Sequence, residues 1–135
     1  MRSRLLTLVV TAALALPVHA ASAHPKLVRS TPRANGTVAS APTSISATFN
    51  EQITLALSKL TLFDAAARAV HLDSLTAPAG DSKTLVARTT AKLAPGRYTV
   101  KWRAAGGDGH PAKGEFTFVV ATSGSDRKTT SAAGR

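Results

Sequence analysis

Between Pro25 and Val120 apolar and polar residues alternate with a period of two, in short runs broken by turn residues and without a sustained helical period. In an extended chain residues two apart share a face, so each run has one side to bury. Ile45, Ala47 and Phe49 alternate with Ser44, Ser46 and Thr48, and Leu60 and Leu62 are flanked by Lys59 and Thr61. Ala69, Val70 and Leu72 fit a short return strand after the turn at Asp64-Ala65-Ala66. Pro78-Ala79-Gly80-Asp81 is a turn before a strand over 84–87, and Ala94-Pro95-Gly96 is the next turn. Tyr98, Val100 and Trp102 then oppose Thr99, Lys101 and Arg103, and Phe116, Phe118 and Val120 oppose Glu115, Thr117 and Val119. About seven short strands of this kind predict an all-β Greek-key sandwich or small barrel. Its core is expected to come mostly from Trp102 and the Phe residues. The stretch 54–57 is compatible with a helical turn or a loop.

The first 23 residues follow a different rule. Met1-Arg2-Ser3-Arg4 is basic, Leu5 to Leu16 is apolar, Pro17 breaks the run, and small residues follow. That order is the layout of a secretory signal peptide, and its apolar run is too short to span a bilayer. Val18-His19-Ala20 and Ala21-Ser22-Ala23 are both cleavage patterns; the second makes residues 1–23 the leader and His24 the new first residue. An exported, periplasmic protein is expected, with a β domain over 24–120. The tail over 121–135 is rich in Ser, Thr, Gly, Ala and charge, a composition that predicts disorder.

Among its 135 residues the chain has 17 Lys and Arg against 7 Asp and Glu. Losing Arg2 and Arg4 with the leader leaves 15 bases and a net charge of +8. A basic balance can serve nucleic acid or an anionic surface. The bases are scattered, however, and four Phe, one Tyr and one Trp offer little for base stacking. No nucleic acid is expected as a partner, and no stable membrane insertion. There is no cysteine, which excludes disulfides, thiolate metal sites, iron–sulfur clusters and thiol catalysis.

Any metal must then be held by nitrogen and oxygen. An N-terminal His24 offers its free amine and its ring Nδ1, which can close a small chelate ring on one ion. The amine has an ordinary pKa near ~8, so a strongly bound metal displaces its proton at neutral pH. Pro25 has no amide proton, so chelation cannot continue along the backbone. Side chains from elsewhere must complete the site. Gly106-Gly107-Asp108-Gly109-His110-Pro111 offers two of them, Asp108 and His110, which share a side if the segment is extended. An amine, two imidazoles and a carboxylate suit tetragonal Cu(II). Cleavage after Ala20 abolishes the chelate, and cleavage after Ala21 gives Ser22-Ala23-His24, a copper motif of the amide type. Taken singly, an Asp-x-His pair in a glycine loop is commonly just a polar turn.

These blocks resemble the CopC family of exported copper-resistance proteins. The resemblance is carried by His24-Pro25-Lys26-Leu27-Val28, Ser30-Thr31-Pro32, Phe49-Asn50-Glu51, and Pro95 to Arg103. Asp108-Gly109-His110-Pro111 and Gly114-Glu115-Phe116-Thr117-Phe118 complete it, in order, across nearly the whole expected domain. It implies an immunoglobulin-like Greek-key β-barrel binding one Cu(II) per chain, with His24, His110 and Asp108 as ligands. Glu51 matches a carboxylate that the family places near the metal, as a weak ligand or an outer group. An inner-membrane copper transporter of the CopD type is the delivery partner the resemblance implies.

Some family members carry a second, Cu(I) site in a methionine-rich loop. Here Met1 is the only methionine, so no such site is expected, since Cu(I) requires soft thioether ligands. His71 falls in that region and reads as a surface histidine. Lys101 and Arg103 read as a solvated strand face. Two other functions stay open. A histidine-brace copper oxygenase needs an open coordination position and a broad substrate platform. A metal-free interaction sandwich needs neither His24 nor His110. The carrier reading assigns no catalytic residue.

Overall fold

A computed structural model describes residues 24–122. The expected leader 1–23 lies outside the described residues, as does the expected tail apart from residues 121 and 122. Eight strands run β1 (Leu27–Thr31), β2 (Gly36–Val38), β3 (Ser44–Phe49), β4 (Lys59–Phe63), β5 (Ala69–Val70), β6 (Thr84–Arg88), β7 (Gly96–Ala105) and β8 (Pro111–Val120). They form two sheets, ordered β1-β3-β6 and β2-β8-β7-β4-β5. The chain changes sheet repeatedly, as a Greek-key sandwich requires. Leu55–Leu57 is a single 3-10 turn, which decides the segment that alternation alone left open.

The alternation becomes burial as expected. Ile45, Ala47 and Phe49 are buried while Ser44, Ser46 and Thr48 are half-buried. Across from them lie Leu60, Leu62, Tyr98, Val100, Phe116 and Phe118, and together these residues form one core. Burying a side chain of this size contributes about 1.5–3 kcal/mol. Tyr98 stacks on Phe118, with ring centroids 5.4 Å apart, and its hydroxyl donates to the Ala94 carbonyl at 2.8 Å. The phenol thereby pins the turn before β7 to the strand it starts.

Three expectations need correction. Strands β1 and β2 were not legible as alternation, because β1 shows the pattern Leu27 half-buried, Val28 and Arg29 exposed, and Ser30 buried. A register shift between Leu27 and Arg29 breaks its period. The return strand is only Ala69–Val70; Leu72 instead makes an isolated bridge to Thr89. Trp102 is half-buried, packed edge-on against Phe49 at 5.1 Å, so aliphatic residues carry more of the core than expected.

Candidate metal centre

Three segments distant in sequence are tied together at one end of the sandwich. The Lys26 amide donates to Asn50 Oδ1 at 2.7 Å, and the Asn50 amide donates to the Lys26 carbonyl at 3.1 Å. With Pro25 fully buried, these bonds anchor the strand that follows exposed His24 beside the end of β3. Glu51 comes next in the chain. Ile53 then bridges to Gly106, the Thr54 amide donates to the Ala105 carbonyl at 2.8 Å, and Thr54 Oγ1 donates to the Gly106 carbonyl at 3.2 Å. Residues 24–26, 50–54 and 105–106 are therefore consecutive neighbours in space.

The glycine segment forms the tip of the β7–β8 hairpin. Gly109 donates to the Gly106 carbonyl at 3.0 Å and takes a φ of +81°, a region that L side chains avoid. Asp108 and His110 do meet, but through a turn and not through an extended segment. Asp108 Oδ1 accepts the His110 amide at 3.0 Å, and Oδ2 lies 3.2 Å from His110 Nδ1. The His110 amide is the main reason the Asp108 carboxyl is held below the ordinary carboxylate range. Partial desolvation opposes it, and the imidazole contact adds to it. Both side chains remain open to solvent.

Glu51 is the least solvated of the four candidates. Its Oε1 is buried without a hydrogen-bond partner. Its Oε2 lies 3.2 Å from the point that a Cβ on Gly106 would occupy, and Asp108 Oδ1 lies 3.4 Å from the same point. Two carboxylates thus flank one buried glycine, where a Cβ would press on Glu51 and touch Asp108. Among the described residues no three His, Asp or Glu side chains are gathered tightly enough to hold one ion. The structure joins Asp108 to His110 directly and sets Glu51 beside the same glycine; His24 enters through the Lys26–Asn50 pairing. Gly106 itself was named only as part of a permissive loop, and its role as a spacer between carboxylates carries no sequence signal beyond being glycine. His71 is exposed and follows Val70, the last residue of β5.

The comparisons with known proteins agree with this architecture. The CopC domain family model matches residues 27–121. A copper resistance protein C from Xanthomonas campestris pv. juglandis is 36% identical over 84% of this chain and 93% of its own length. One from Escherichia coli is 38% identical over 74% of this chain and 83% of its own. Among solved structures, CopC from Methylosinus trichosporium OB3b superposes with a TM-score of 0.68 at 28% identity, covering 73% of this chain and 94% of that one. PcoC, a methionine-rich copper resistance protein from Escherichia coli, gives 0.65 at 36% identity, covering 73% and 99%. With most of the described residues matched by the family model and the sandwich shared with solved members, the chain belongs to the CopC family.

Proposed function

We propose that this chain is a periplasmic copper-resistance protein that binds one Cu(II) ion as cargo, without a Cu(I) site and without catalysing a reaction. Copper resistance follows from the family; the oxidation state, the stoichiometry and the ligands are the finer reading. The observation that carries it is Glu51. A buried carboxylate oxygen without a partner costs free energy unless a cation offsets it. This one stands beside the Asp108–His110 pair, across the same glycine.

In this reading the leader 1–23 is removed, and His24 holds the ion through its amine and ring, with His110 and Asp108 completing the set. Glu51 supplies negative charge at its edge. The amine and imidazole nitrogens with a carboxylate form the donor set that Cu(II) binds most strongly among first-row divalent ions. Asp108, already bonded to the His110 ring, would hold that imidazole in place for the ion. The absence of any methionine after Met1 separates this chain from methionine-rich PcoC and supports a Cu(II)-only carrier. Delivery to a CopD-type membrane transporter is the step the reading assigns to its partner.

The test is mass spectrometry of the first residue of the exported protein, then Cu(II) titration followed by electron paramagnetic resonance. A chain beginning at His24 should take up one equivalent and show a tetragonal, nitrogen-rich spectrum. Adding one residue before His24 should change that spectrum. A mature chain beginning elsewhere, or tight Cu(I) uptake, would overturn the reading.

A further inference from the structure

The outer face of the five-stranded sheet carries an ordered array of cations that metal binding does not use. The register sets Lys59 on β4, Arg103 on β7 and Lys113 on β8 directly opposite one another, in one row across three neighbouring strands. The next row is Thr61, Lys101 and Glu115. All four cations are exposed, and among the described residues none has a carboxylate within 4 Å. Like charges directly opposite in a sheet repel, so this row weakens the fold it belongs to. The Arg103 guanidinium leans toward the 3-10 turn, where it donates to the Leu57 carbonyl at 2.7 Å. That turn holds Leu55 and Leu57, 37% and 49% exposed, immediately before Lys59.

We propose that this face docks the protein on an anionic lipid bilayer. A bilayer asks for cationic density on a flat surface with an apolar element at its edge. The array spans three strands, roughly 10 Å across at the usual strand spacing, with Leu55 and Leu57 at its end. An acidic peptide would answer the cations but not the exposed Leu55 and Leu57 at the end of the array. Docking leaves the hairpin tip with Asp108 and His110 at the rim of the contact, a few residues beyond Arg103 and before Lys113.

The experiment is cosedimentation of the chain 24–135 with vesicles of phosphatidylcholine, with and without phosphatidylglycerol. Binding should require phosphatidylglycerol and fall as salt rises from about 50 to about 300 mM, because screening shortens the reach of these charges. K59Q/K113Q should weaken binding by about tenfold or more. R88Q/K92Q, which removes two exposed cations elsewhere, should leave it within about twofold. Circular dichroism should show both variants folded. Equal losses in the two variants would assign the binding to net charge alone and overturn the proposal. So would binding to polyglutamate with no binding to phosphatidylglycerol vesicles, or no binding to either.

Discussion

The indole of Trp102 occupies the space that a Cβ on its cross-strand partner Gly114 would need. The atoms in the way belong to the rigid ring, and the ring is itself wedged against Phe49. Gly114→Ala should therefore destabilise the sandwich by about 1–3 kcal/mol. The thermal midpoint should fall by about 5 °C or more, with a change in Trp102 fluorescence as the indole is displaced. An unchanged melt would show that the ring yields freely.

Glu51 gives a prediction of opposite sign. Glu51→Gln removes the charge from a carboxylate whose Oε1 is buried and unpartnered. The metal-free protein should become more stable by about 1 kcal/mol. The rise in melting temperature that Cu(II) produces should shrink in the same variant. Differential scanning calorimetry with and without Cu(II) reads both changes.

Gly106→Ala would push a methyl group between the two carboxylates, 3.2 Å from Glu51 Oε2 and 3.4 Å from Asp108 Oδ1. Both are ends of side chains that can move, so the fold should survive. Cu(II) affinity should drop by about tenfold, as expected when the groups around a metal are displaced. Competition with a chromophoric chelator measures it.

Asp108→Ala removes both contacts that its carboxylate makes to His110 at the hairpin tip. Cu(II) affinity should fall by about 10–100-fold, while the midpoint of urea unfolding of the metal-free protein changes little, since the tip is exposed. His110→Ala should match or exceed that loss.

Far from this end, Asp64 closes the β4–β5 turn. Its Oδ1 accepts the Arg68 and Ala66 amides, and Oδ2 pairs with Arg68 Nε at 2.8 Å. The Arg68 amide is the first cause of its depressed pKa. A carboxyl depressed by folding contributes stability above its ordinary pKa of 3.8 and loses it as pH falls through the lower folded value. Urea midpoints should therefore decline between about pH 5 and about pH 2, and Asp64→Asn should flatten that decline.

How much could be read from the chain alone depended on periodicity. β3, β4, β7 and β8 were legible because one face of each is buried, and alternation records that fact. β1 was not, since its register shift breaks the period. β2 was not, since three residues are too few to alternate. At the candidate site the residue types of His24, Glu51, Asp108 and His110 were legible, but their relation was not. The Asp108–His110 contact is made by a turn with Gly109 at positive φ, which an extended reading of the segment misses. The closeness of Glu51 to the hairpin tip depends on the Ile53–Gly106 bridge, a long-range pairing that leaves no local mark.

The five-stranded sheet ends in β2 and β5, of three and two residues. They cover only Phe118–Val120 of β8 and Leu62–Phe63 of β4, and the stretches left uncovered carry exposed Lys113 and Lys59. Lysine at an open strand edge works against fibril-like pairing with a second copy.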